Sequence, residues 1–213
     1  MDFNQRKNYG DFMNPKIPPG NWDRFMFSNR QGKWMAPQKI KRNHQNESNV
    51  TAIAGNWIAA IGTILSAIGS TPSTTFSEQT LEDFNIIGNI LEAGGSAIVS
   101  DTEDAILNRV GGQISAIGNV LVVAGILSKN EQFGQRLEKQ GDLLQVVGVG
   151  ITINTEGELT LTETIANIGN INQFIGNTIE VLADTDTKEG VVASAAGAWI
   201  QAVGAVITAL QIE

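Results

Sequence analysis

The chain has 213 residues, a net charge of −8, one histidine and no cysteine. This composition excludes a disulfide framework, a thiolate metal site and a cysteine nucleophile. His44 alone supplies neither a zinc site nor the base of a Ser-His-Asp triad. The length suits one domain with an appendage, long enough to bury a sizeable core.

Charge divides the chain. Residues 1–48 carry nine Lys/Arg against four Asp/Glu, whereas residues 49–213 carry five against eighteen. The first segment also holds four of the five prolines and seven of the thirteen aromatics, so it reads as an extended basic arm before a separate repeat domain. Phe3, Trp22, Phe25, Phe27 and Trp34 are expected to dock the arm on the acidic body of its own or a neighbouring subunit, since the charges are opposite. Stacking of these rings on nucleic-acid bases is the weaker alternative. The start of the chain is polar and aromatic, without the apolar core of a signal peptide. That leaves a cytoplasmic location, or a spore or cell surface reached by another route.

The body reads as six helices, over 49–70, 76–99, 101–127, 129–148, 161–183 and 187–211. In the first, Gly55, Gly62 and Gly69 lie seven apart among large apolar residues at helical spacing. The second holds Gly88 and Gly95, the third Gly111, Gly118 and Gly125, and the fourth Gly134, Gly141 and Gly148. The fifth has Gly169 and Gly176, the sixth Gly190, Gly197 and Gly204. Central glycines recur every 26–30 residues, and "AGNWIAAIGTILSAI" near the start is nearly repeated as "AGAWIQAVGAVITAL" near the end. Five capping boxes are expected to open the second to sixth helices: Thr75/Glu78, Ser100/Glu103, Ser128/Glu131, Thr160/Glu163 and Asp186/Glu189. Short connections favour antiparallel neighbours. Between the fourth and fifth helices the period changes to two, which predicts a short β-hairpin near 149–162, turning at Gly157. The expected architecture is therefore all-α, six antiparallel glycine-rich repeats arranged as a closed bundle or an open stack.

In each heptad counted from glycine, the third, fourth and seventh residues are large and apolar, while the second and fifth tend to be polar or small. A glycine costs a helix about 0.8–1 kcal/mol relative to alanine, so regular spacing needs a compensating gain. Close approach of a neighbouring helix supplies one. The residues expected to carry that packing, and assembly with it, are Gly55, Gly62, Gly69, Gly111, Gly118, Gly125, Gly141, Gly148, Gly169, Gly176, Gly197 and Gly204.

Residues 49–77, 110–128 and 190–212 contain no charged side chain, and each is long enough to cross a bilayer. They are nevertheless rich in Asn, Gln, Ser and Thr, and the other helices carry Asp and Glu, which is more polar than a constitutive membrane protein should be. Asp101, Glu103, Asp104, Asp184 and Asp186 fall where carboxylates complement helix N-termini. No calcium-loop or phosphate-loop spacing occurs, and no enzyme, cofactor or small-molecule substrate is expected.

The phrases "GNWIAAIGTILSAIGSTPS", "LEDFNIIGNILEAGGSAI" and "GAWIQAVGAVITAL" resemble uncharacterised glycine-periodic repetitive helical proteins of spore-forming bacilli. The resemblance covers roughly residues 50–212, implies a bacterial source and carries no known activity or site residues. The leading expectation is a non-enzymatic structural protein that assembles with itself into a homo-oligomer or filament, such as a spore- or cell-surface component. The alternative is a membrane-active, pore-forming or toxin-like protein that stays soluble until it inserts.

Overall fold

The computed structural model describes residues 38–155 and 157–210, with side chains from Glu47 onward. Two compact units divide at Gln45/Asn46, and of the first only residues 38–45 are described. Phe3, Trp22, Phe25, Phe27 and Trp34 lie outside the described residues.

The described chain is all-helical: α1 (Gln38–Gly69), α2 (Glu78–Thr102), α3 (Ile106–Ile126), α4 (Glu131–Thr152), α5 (Leu161–Leu182) and α6 (Lys188–Ala209). Helix starts depart from the expected boxes. Only Thr160/Glu163 forms one, with Glu163 N donating to Thr160 Oγ1 at 3.2 Å and Thr160 N donating to Glu163 Oε2 at 2.7 Å. Ser77, Asn130 and Thr187 cap α2, α4 and α6 in place of Thr75, Ser128 and Asp186. Ser100 is inside α2, its hydroxyl donating to Ser96 O at 2.6 Å, and α3 starts after Ala105 with no side-chain cap. At α2, α4 and α6 a short polar residue one or two positions further on is the one with extended φ/ψ where the helix turns in.

No strand occurs among the described residues, and the expected hairpin is corrected. Residues 149–152 are the last turn of α4 because Gly148 packs against Gly111 and Val149 is buried. The linker that follows is held by a side chain acting in place of a strand. Asn154 N donates to Asn167 Oδ1 at 2.9 Å, and Asn167 Nδ2 donates to Asn154 O at 2.5 Å. Gly157 takes φ +76°, the left-handed turn conformation its lack of Cβ permits.

Glycine decides how the helices pair. A methyl group built on Gly118 would sit 2.6 Å from the Gly141 carbonyl oxygen, one on Gly111 2.6 Å from that of Gly148, and one on Gly125 2.7 Å from that of Gly134. Partner numbers fall as the glycine numbers rise, so α3 and α4 run antiparallel with their backbones in contact. Gly62 meets Gly88 and Gly55 meets Gly95 between α1 and α2; Gly169 meets Gly204 and Gly176 meets Gly197 between α5 and α6. All twelve expected packing glycines except Gly69 oppose another glycine, and Gly69 faces the backbone of Leu81 and Asn85. Their neighbour is thus a helix of the same chain.

These three hairpins close on themselves. Gly112 lies against Ser100 between α2 and α3, and Gly150 against Phe174 between α4 and α5. The first and last helices also meet: Ala60 packs with Ala205 and Ala209, and Ala67 with Ala198 and Ala202. Trp199 Nε1 donates to Thr71 Oγ1 at 3.0 Å beside this seam. The result is a ring of six antiparallel helices in chain order.

Candidate functional site: a polar interior within an apolar shell

A helix places residues one and four positions after a given residue on nearly the same side, so the heptad predicts two faces for each helix. The structure turns the second and fifth heptad positions inward. After Gly62, Gly88, Gly118, Gly141, Gly176 and Gly197 these are Thr63 and Ser66, Asn89 and Glu92, Asn119 and Val122, Asp142 and Gln145, Asn177 and Glu180, and Ala198 and Gln201. Ten of these twelve are buried, and the other two, Asp142 and Glu180, line an internal cavity. Apart from Val122 and Ala198, every one is polar.

The centre is tied together by amides. Gln201 Nε2 donates to Glu92 Oε1 at 2.8 Å and is 3.2 Å from Gln145 Oε1, which joins α6, α2 and α4 across the interior. Asn119 of α3 is fully buried; its Nδ2 donates to Ser115 O at 3.2 Å and its Oδ1 makes no hydrogen bond. On one flank Asn89 Nδ2 donates to Asn85 Oδ1 at 2.8 Å and reaches Ser66 Oγ of α1 at 3.3 Å. Asn177, on the same inward stripe of α5 as Glu180 and 1% exposed, makes no hydrogen bond with either amide atom.

Outside, the order is reversed. Trp57 and Ile61 on α1, Ile87 and Ile90 on α2, and Ile117 and Val120 on α3 are exposed. So are Leu143 and Val147 on α4, Ile168, Ile171 and Ile175 on α5, and Val192, Trp199 and Val203 on α6. All six helices contribute. Soluble domains leave single apolar side chains in water, but not a continuous shell of isoleucine, leucine and valine. Charged side chains collect at the two rims on every helix but α4, whose exposed Arg136 and Lys139 extend into its third turn. On α2, residues 84–100 between Asp83 and Asp101 carry only Glu92, which points inward; on α5, residues 164–183 carry only Glu180, which lines the cavity. At 1.5 Å per residue these uncharged outer spans are about 25–30 Å tall. Three helical stretches, Glu47–Gly69, Ile106–Ile126 and Lys188–Ala209, are long and apolar enough to cross a membrane on composition alone. In α2 and α5 the inward Glu92 and Glu180 lower that composition without touching the shell, whereas α4 also carries Arg136 and Lys139 exposed on its outer surface.

The cavity, of about 380 Å³, occupies the half of the ring that bears the α1–α2, α3–α4 and α5–α6 connections. It runs from Asp184 and Asp186 at the rim down to Glu92 and Gln201. Lys139 is the only basic residue on its wall, against Glu92, Glu138, Asp142, Glu180, Asp184 and Asp186. At the rim, burial and the neighbouring Glu82 push the Glu138 carboxyl above its ordinary value. On the outer surface the Thr160 backbone N–H and hydroxyl hold the Glu163 carboxyl below it. Among the described residues no three carboxylates or imidazoles lie close enough together to hold one metal ion. The carboxylates weighed from the sequence, Asp101, Glu103 and Asp104, stay at the opposite rim, whereas Asp184 and Asp186 join the cavity mouth. Glu92, Asp142, Glu180, Gln145 and Gln201 were not singled out from sequence; their signal was the polar second and fifth heptad positions.

Fold and interior together define an all-α protein built as a closed helical ring, polar within and apolar without. The chain belongs to a family of unknown function, DUF6944, whose profile matches residues 50–209, nearly the whole ring. No curated protein and no solved structure matches it.

Proposed function

We propose that the ring is a non-enzymatic, membrane-inserting helical protein, with its apolar shell facing lipid hydrocarbon and its acidic interior shielded from it. One observation carries the reading: large aliphatic side chains are exposed around all six helices while carboxylates and amides converge inside. In water that arrangement leaves apolar area unburied and encloses charge, both unfavourable. In a bilayer it is the arrangement of lowest cost, since hydrocarbon solvates the shell, every helical backbone group is bonded internally, and small residues let helices meet closely. On α2 and α5 the height of the uncharged outer span, about 25–30 Å, fits a hydrocarbon core of ~30 Å. Glycine at each heptad serves this reading directly, and we take the six helices to be copies of one glycine-centred unit from a bacterial, spore-forming source, as the resemblance implies.

A second reading is supported by the low mean hydropathy of the chain, −0.03. In it the shell is buried against further copies, giving a self-assembling structural protein with its basic arm bridging subunits. One experiment separates the two. The full chain, purified in detergent, is diluted into buffer with or without vesicles of mixed neutral and anionic lipid, followed by flotation, light scattering and release of an entrapped dye. Co-flotation with dye release supports insertion. Large lipid-free assemblies that neither float nor release dye support self-assembly, and a monodisperse monomer indifferent to lipid defeats both.

A further inference from the structure

We propose that the outer face of α4, at the connection-bearing mouth, binds an anionic phospholipid, with the headgroup phosphate held by Arg136 and Lys139 and an acyl chain lying on Leu143 and Val147. The inference rests on the membrane reading above and names a lipid that the shell selects. Within that shell α4 is the exception. Arg136, Lys139, Leu143 and Val147 follow one another at three- or four-residue spacing, which puts them on one side of the helix, and all four are exposed. The stripe is basic near the mouth and aliphatic below it, where Leu143 is 46% and Val147 50% exposed. A phospholipid has the same order, an anionic phosphate followed by hydrocarbon.

Three features favour this occupant. Arg136 and Lys139 lie about 8 and 12 Å along the axis from Glu131, the first residue of α4, and their flexible stems can carry the charges back to the rim, where lipid phosphates sit. Arg136 makes no hydrogen bond or ion pair among the described residues, so its guanidinium is available for the bidentate contact that phosphate accepts. Arg109, near the opposite mouth, is by contrast engaged within the ring, its Nη2 donating to Glu103 O at 2.6 Å. The surroundings then select a lipid over a soluble anion. The helices packed on either side of α4 end at this same mouth in exposed leucines, Leu127 after α3 at 63% and Leu182 of α5 at 77%. A free phosphate answers the two cations and leaves those leucines in water, whereas a lipid answers the cations and covers the leucines.

The test is photo-crosslinking of the full chain reconstituted into phosphatidylcholine vesicles doped with a lipid whose acyl chain carries a diazirine. The doped lipid has either a phosphatidylglycerol or a phosphatidylcholine headgroup, and adducts are mapped by mass spectrometry. Adducts between Gln140 and Val147 are expected to favour the phosphatidylglycerol probe by about tenfold, the effect of two surface cations on an anionic lipid. The double variant Arg136→Gln with Lys139→Gln is expected to lose that preference, and Arg109→Gln to keep it. Both α4 positions are exposed, and circular dichroism checks that the helices are retained. Equal labelling of α4 by the two headgroups, a preference that survives the double substitution, or an α4 face left unlabelled because a second copy covers it overturns the proposal. Adducts around Ile87, Ile90 and Ile168 without a headgroup preference on α4 reject the lipid site alone. Absence of adducts from every helix rejects the membrane reading with it.

Discussion

At the scale of single residues, the same amino acid plays opposite parts in this ring. Gly118 is buried where a methyl group would strike the Gly141 carbonyl, and Gly94 is exposed with nothing within 4 Å of a methyl group. Gly118→Ala must push α3 and α4 apart, and a loss of about 1–3 kcal/mol is expected. Gly94→Ala meets no neighbour and should stabilise by about 0.5–1 kcal/mol through helix propensity. Thermal unfolding of both variants in one detergent checks the sign of each; a shared sign would contradict the packing described. Glu138 gives a pH-dependent counterpart. Its folded-state carboxyl titrates above its unfolded value, so the native state is favoured while the group is neutral and loses that advantage as pH rises through the folded value. Glu138→Gln is therefore expected to raise the midpoint of unfolding at pH 8 and to leave it unchanged near pH 4. The glycines were legible because spacing of seven is visible without a structure. The inward residues were legible only in part, since a polar second and fifth position looks like the solvated flank of an ordinary amphipathic helix. What hid Glu92 and Gln201 was the prior that large apolar residues go inside; in this ring Ile87 and Ile90, on either side of Asn89, go outside.

At the scale of the helix, termini are set by local competition. Thr160 is the one residue where the expected box forms, and its cap is reciprocal. Thr160→Ala removes it, and a cost of about 1 kcal/mol is expected for the start of α5, seen as faster hydrogen exchange over the first turn than in the parent. Glu163 belongs to the same device, and its depressed carboxyl sets the direction of the pH effect. The stabilising contribution is present above the unfolded value and fades as pH falls through the folded one, so the gap between Thr160→Ala and the parent should narrow in acid to what the bond from Glu163 N to the Thr160 hydroxyl contributes. The other box expectations failed by small displacements, from Thr75 to Ser77 and from Ser128 to Asn130, because the pattern constrains residue type and leaves φ/ψ free. The predicted hairpin failed for a different reason. Val149, Ile151 and Ile153 alternate as a strand would, yet contact between Gly148 and Gly111 fixes that stretch as helix. A contact between residues 37 positions apart has no local signature.

At the scale of the whole molecule, closure rests on the α1–α6 seam, which packs the first helix against the last. Alanine lines it where glycine lines the hairpins, with Ala60 against Ala205 and Ala67 against Ala198 and Ala202. The chain has no cysteine of its own, so an engineered pair reports cleanly. Ala60→Cys with Ala205→Cys is expected to form an intramolecular disulfide under mild oxidation, seen as faster gel migration that a reductant reverses. Ala60→Cys with Ile117→Cys, a residue exposed on α3, is expected to give none. Equal yields from the two pairs would argue for an open stack. Neither closure nor stack could be chosen from the sequence, since six similar helices satisfy either and the seam residues look like ordinary helix formers.

An even number of antiparallel helices also returns the chain to where it set out. α1 climbs toward the mouth that holds Asp184 and Asp186, α6 descends from it, and the two ends of the ring, near Asn46 and Leu210, therefore emerge together at the opposite mouth. In a sealed vesicle this is a statement about sidedness. If the ring inserts as proposed, Asn46 and Leu210 face one compartment and the acidic mouth faces the other.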